Sequence, residues 1–161
     1  MRRVRSRVGN SPGMTISKWA LHPFGPATPI FVMVGAGYVG LVSGACFLEF
    51  GTHVVCVDKD AQKVARLEAE EMPIFEPGLA DLVVRNETAG RLTFTTNLKA
   101  AVKGCDAVFI TVGTPSHRGD GRADLTYVYD AAREIADAAD PDTVVVTKST
   151  VPVGTGREVE A

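Results

Sequence analysis

Cysteine and histidine are scarce in this chain, with three of each among 161 residues. Cys46, Cys56 and Cys105 show no Cys-x-x-Cys spacing, and His22, His53 and His117 have neither metal-ligand nor triad spacing. So scattered a set argues against a disulfide framework and a zinc site, and predicts reduced thiols that act as small packing residues. Acid is missing altogether from residues 1–29, which hold Arg2, Arg3, Arg5, Arg7 and Lys18. Residues 30–161 reverse the balance, with 12 Lys+Arg against 19 Asp+Glu. An acidic body of this kind is a poor partner for nucleic acid. Long apolar runs are lacking too, save Phe31–Leu48, which is uncharged over 18 residues. Gly35, Gly37 and Gly40 break its first half, and that clustering suits a tight turn rather than a membrane span.

Residues 1–29 carry Pro12, Pro23, Pro26 and Pro29 and no sustained periodicity. They are expected to be a disordered or misassigned N-terminal extension. The Arg-rich, acid-free start also has the composition of a mitochondrial targeting peptide. The body is expected to be cytoplasmic, with its thiols reduced.

From Ile30 onward strand and helix signals alternate. Apolar runs predict strands at 30–34, 53–58, 92–96, 106–112 and 143–148. Helices are expected at 38–50, stopped by Gly51, and from Asp60, as cap, to about 69. Another is expected at 79–86. A fourth begins at Asp124 as cap, with Leu125, Val128, Ala132, Ile135 and Ala139 on one face. Gly113–Ala123 is a long loop, which suggests function or mobility. Ser149–Ala161 begins as a loop and is read as turning helical. Such alternation predicts an α/β doubly wound parallel sheet of Rossmann type, with strand order 3-2-1-4-5. Residues 30–161 then form an incomplete domain, C-terminally truncated before a sixth strand, with an apolar sheet edge left open.

Gly35-Ala36-Gly37-Tyr38-Val39-Gly40 is a G-x-G-x-x-G fingerprint, here between a predicted strand and a predicted helix. Gly35 is expected to permit the tight turn, Gly37 to admit a pyrophosphate, and Gly40 to let the helix pack closely. The helix N-terminus offers free N–H groups to the phosphates. Asp58, closing the second strand, is placed to accept from the ribose hydroxyls, which favours NAD over NADP; Lys59 beside it softens that preference.

Five blocks extend the pattern: Val-Gly-Ala-Gly-Tyr-Val-Gly-Leu at 34–41, Met-Pro-Ile-Phe-Glu-Pro-Gly-Leu at 72–79, Arg-Leu-Thr-Phe-Thr-Thr-Asn at 91–97, Val-Gly-Thr-Pro at 112–115, and Lys-Ser-Thr-Val-Pro-Val-Gly-Thr at 148–155. Over about 30–156 the chain resembles the NAD-binding domain of the UDP-glucose/GDP-mannose dehydrogenases, and the second and fifth blocks are the specific ones. The resemblance implies cofactor contacts at Gly35, Gly37, Tyr38, Val39, Gly40, Asp58, Lys63, Val112, Gly113, Thr114, Pro115 and Thr150. It also implies that Thr150 helps to place a catalytic water. A glycine is usual in the family where Glu70 stands, so the turn there is expected to differ. The roles of Phe75 and Glu76 stay open between ligand contact and structure.

The family oxidises the C6 alcohol of a nucleotide sugar to a carboxylate with two NAD, by way of a cysteine thiohemiacetal. The matching Cys, Lys, Asn and Glu positions are expected beyond residue 161, so this stretch alone is expected to be inactive. The fifth block is most similar to the branch that converts UDP-glucose to UDP-glucuronate, a step that serves polysaccharide synthesis. GDP-mannose and UDP-N-acetylmannosamine are the alternative substrates, and a non-catalytic NAD-binding module is the alternative class. A homo-oligomer is implied for the full-length form.

Overall fold

The computed structural model describes residues 28–116 and 121–160. The expectations for residues 1–27 and for His117 lie outside the described residues. The strands are β1 (Ile30–Val34), β2 (His53–Val57), β3 (Leu92–Thr95), β4 (Ala107–Ile110) and β5 (Val144–Thr147). They form one sheet in the order β3-β2-β1-β4-β5, and every neighbouring pair is parallel. The predicted topology therefore holds. The helices are α1 (Tyr38–Glu49), α2 (Ala61–Glu68), α3 (Leu79–Thr88), α4 (Leu98–Val102), α5 (Thr126–Ala136) and α6 (Thr155–Glu160).

Strand periodicity divides the core between the two faces of the sheet. Met33, Val54 and Cys56 point to the face covered by α1, α2 and α3, where they meet Leu41, Leu48, Leu67 and Val83. Val32, Val34, Val57, Val108 and Ile110 point to the other face, where α4 and α5 supply Leu98, Val102, Val128 and Ile135. On the first face Phe31, Phe47 and Phe109 form an aromatic cluster with ring centroids 4.9–5.6 Å apart, Phe31 meeting the other two edge-on and Phe47 tilted against Phe109. Among the described residues β5 pairs with β4 alone, and Val144 and Val145 on it are exposed.

Three details depart from the sequence reading. The helix read from Asp124 begins at Thr126, because the Asp124 carboxylate accepts from the Thr126 N–H in a local turn just ahead of it. Leu98–Val102 is helical although no such element is read from the sequence; Asn97 caps it by accepting from Ala100 N–H at 3.1 Å. Cys46 is exposed on α1 rather than packed, whereas Cys56 and Cys105 are buried. The stripe Gly40, Leu41, Gly44, Ala45 and Leu48 turns inward and leaves Cys46 on the opposite side.

Glu70 is the one non-glycine residue with a positive φ among the described residues, at 60°. It follows α2, where Glu70 N–H donates to Leu67 carbonyl and Glu71 N–H to Arg66 carbonyl, the paired bonds of a Schellman ending. The family glycine is thus replaced without loss of the turn, at the cost of left-handed backbone in a residue with a Cβ. Burial, and after it the charges of Glu70 and Glu68, hold the Glu87 carboxyl above its usual range. A raised carboxyl contributes stability in acid that is lost as pH rises through its folded pKa. Glu70→Gly is therefore expected to stabilise the fold by about 0.5–1 kcal/mol from the backbone alone. The gain should grow as pH rises from acid toward neutral, because removing the Glu70 charge favours the ionised form of Glu87, and urea unfolding at two pH values measures it.

Candidate functional site

The site is built where strand order reverses. β1 continues into β2 and β3 on one side, while β4 and β5 lie on the other, so the loops after β1 and β4 diverge and leave a crevice. A cavity of about 490 Å³ occupies it. Gly35, Gly37, Asp58, Lys63, Val112, Gly113 and Pro115 line it, which brings seven of the twelve residues named from the sequence onto one surface.

The first turn is set by contact with β4. Gly35 has φ 111°, and a Cβ on it would lie 2.8 Å from the Thr111 carbonyl oxygen. Its N–H donates to the Val57 carbonyl. Gly40 is more tightly held, since a Cβ there would stand 2.0 Å from the Gly35 carbonyl oxygen and 2.9 Å from Thr111 Oγ1. The close approach expected of Gly40 is thus to the turn and to Thr111, just past β4. Gly37 faces nothing within 4 Å, so the space beside it is open to a ligand. No side chain caps α1 and no acidic residue sits in its first turn, so its leading N–H groups and positive end look into that space. Gly44, deeper in α1, brings the helix down onto Val54, Met33 and Cys56.

Thr111 is a site residue that sequence reasoning takes only as strand. It is buried, and its hydroxyl lies 3.0 Å from the Val34 carbonyl and 2.9 Å from the Gly35 carbonyl, so its one proton is shared between the two acceptors. A hydroxyl among otherwise apolar strand residues was the available signal.

Asp58 stands just past β2 with a side chain only 13% exposed. One carboxylate oxygen accepts from Ala36 N–H at 3.0 Å and from the Lys63 ammonium at 2.8 Å; the other accepts from Asp60 N–H at 3.0 Å. The carboxylate thus braces the glycine turn as well as facing the cavity. Asp60 caps α2 by accepting from Gln62 and Lys63 N–H.

The remaining named residues lie around the rim. Thr114 and Thr150 join the loops after β4 and β5, with the Thr114 hydroxyl donating to the Thr150 carbonyl at 3.0 Å. Ser149 reinforces that seam by donating to the Val112 carbonyl at 2.7 Å. Thr150 itself is exposed. Tyr38 and Val39 are exposed on the first turn of α1 and do not line the cavity. A hydrogen bond to the Glu76 carboxylate, and then its charge, hold the Tyr38 phenol above its ordinary value. Glu76 thereby ties the 72–79 block to the glycine turn, while Phe75 beside it is 91% exposed.

Burial pushes the Cys56 thiol up to about 12 and the Cys105 thiol up to about 11, so neither supplies a thiolate near neutral pH. No group of three His, Cys, Asp or Glu residues among the described residues is placed to hold a metal ion. Likewise, no helix among them is long and apolar enough to cross a membrane.

Comparison with known proteins agrees with this geometry. The profile of the UDP-glucose/GDP-mannose dehydrogenase family, NAD binding domain, matches residues 30–161. The UDP-glucose 6-dehydrogenase of Rhizobium meliloti (strain 1021) is 66% identical over 128 residues, which are 80% of this chain and 29% of that protein. The UDP-glucose 6-dehydrogenase TuaD of Bacillus subtilis is 50% identical over 129 residues, 80% of this chain and 28% of the relative. Among solved structures, a UDP-glucose dehydrogenase from Pyrobaculum islandicum superposes with a TM-score of 0.76 at 40% identity, over 87% of this chain and 34% of that one. The GDP-mannose dehydrogenase of Pseudomonas aeruginosa gives 0.75 at 39% identity, over 80% and 30%. The chain thus spans less than a third of the length of the two curated relatives.

Proposed function

The chain belongs to the UDP-glucose/GDP-mannose dehydrogenase family, whose NAD-binding domain it matches, and from that premise we propose that it is the NAD-binding part of a UDP-glucose 6-dehydrogenase. The intact enzyme would convert UDP-glucose to UDP-glucuronate with two NAD. The high identity to the Rhizobium meliloti relative, which bears that name, carries the choice of UDP-glucose.

The residues present fit the cofactor. The open space at Gly37 and the uncapped start of α1 suit a diphosphate. The Asp58 carboxylate, beside the cavity and already in place, suits the ribose hydroxyls. Backbone from Val112 to Pro115 would lie along the cofactor, fixed there by Ser149 and Thr114. NAD, when bound, supplies the hydride acceptor. The exposed Thr150 hydroxyl, beyond β5, would hold a water for the hydrolytic half of the reaction.

The test offers the intact protein UDP-glucose, GDP-mannose and UDP-N-acetylmannosamine separately, each with NAD. UDP-glucose is expected to give two NADH per sugar and an acid product. Preference for either other sugar overturns the substrate. Saturable NAD uptake with no turnover on any of the three identifies a binding module instead.

A further inference from the structure

The charged residues lining the cavity are Asp58, Lys59, Asp60 and Lys63, from just after β2 to the start of α2, and Glu134 from α5. Both lysines are engaged. Lys63 lies 2.8 Å from the Asp58 carboxylate, and Lys59 lies 2.6 Å from Glu134. The second pair reaches across from the loop after β2 to a helix 75 positions away in sequence. Lys59 adjoins Asp58, the residue placed at the ribose. A 2′-phosphate on that ribose brings a dianion to this corner, and its natural counter-charge is the lysine next door.

We propose that Glu134 is a specificity-determining residue: by holding Lys59 it denies the cavity a free cation for a 2′-phosphate, and so it enforces NAD over NADP together with Asp58. Asp58 excludes the phosphate from the ribose hydroxyls themselves, and Glu134 keeps the neighbouring lysine from compensating. The side chains are 70% and 38% exposed, so the pair is solvated and its hold is modest. A modest hold suffices, because selectivity depends on a ratio of affinities.

The inference rests on the dinucleotide reading of the cavity. Equilibrium titration of the intact protein with NAD and with NADP measures the ratio of the two dissociation constants. Glu134→Gln is expected to shift that ratio toward NADP by about twofold to fivefold, as losing one partly screened charge pair would. Lys59→Met in the Glu134→Gln background is expected to abolish the shift. Asp137→Asn, just past the same helix and absent from the cavity lining, serves as the charge control and is expected to leave the ratio where it was. An unchanged ratio in Glu134→Gln overturns the proposal, as does a shift that survives Lys59→Met or that Asp137→Asn reproduces. A folded wild-type protein that takes up neither dinucleotide is a different failure, which defeats the cavity reading itself.

Discussion

Gly40→Ala is expected to break the fold of the first strand–turn–helix unit, whereas Gly37→Ala, three residues earlier, leaves the fold standing and removes cofactor binding. The methyl added at Gly40 would sit 2.0 Å from the Gly35 carbonyl oxygen, a backbone atom that is itself pinned. Thr111 Oγ1 donates to that same oxygen, and Gly35 N–H is tied to β2, so the turn cannot retreat. Overpacking with no flexible neighbour to yield costs about 3 kcal/mol or more. That is a large share of the 5–15 kcal/mol, roughly, by which a domain is stable. Gly37 has φ −90° and ψ −167°, backbone that alanine adopts freely, and a Cβ there meets no protein atom within 4 Å. Replacing a cap glycine by alanine costs on the order of 1 kcal/mol, well below the cost at Gly40. The same methyl would nevertheless occupy the space assigned to the diphosphate, so NAD affinity should fall by about tenfold or more. Thermal unfolding and NAD titration on both variants separate the two effects. Equal losses of stability in the two would remove the distinction.

That contrast shows how the sequence encodes the site. The fingerprint at 35–40, with a strand before it and a helix after it, made the turn legible from residue types and spacing alone. Near-continuous apolar runs in four of the strands, alternating with helices, likewise made the parallel sheet legible, and the order 3-2-1-4-5 came with it. What stayed hidden depends on residues far apart in the chain. The Lys59–Glu134 pair joins positions that no local pattern relates. The two hydrogen bonds of Thr111 exist only once β4 lies beside β1. Helix Leu98–Val102 was missed because five residues are too short for an apolar period to show, although Asn97 was a usable cap signal. Cys46 was taken as packed because α1 is apolar on almost every side, so composition could not say which side faces the sheet. At Glu70 the missing family glycine led to the expectation of a different turn, but the paired hydrogen bonds of the helix ending are kept and Glu70 itself takes the left-handed φ of 60°.

Asp58→Asn is expected to damage NAD binding about as badly as Asp58→Ala, although the amide is nearly the same shape as the carboxylate. The reason lies in what surrounds it. One oxygen accepts from Ala36 N–H and the Lys63 ammonium, and the other accepts from Asp60 N–H. All three partners are donors, so an amide in either orientation turns its own NH2 against at least one of them. Asparagine also lacks the charge that pairs with Lys63 and that repels a 2′-phosphate. Alanine releases the same donors without adding a fourth. Hydrogen bonds to a charged acceptor contribute about 1.5–3 kcal/mol each. Losing the two assigned to the ribose diols should therefore weaken NAD by about a hundredfold or more, while NADP loses less because its 2′-oxygen gains nothing from the carboxylate. Titration with NAD, NADP and AMP on both variants measures this, and AMP, which lacks the nicotinamide half, should lose as much as NAD. An Asp58→Asn protein that keeps wild-type affinity for all three ligands would show that the carboxylate braces Ala36 and Lys63 without touching the cofactor.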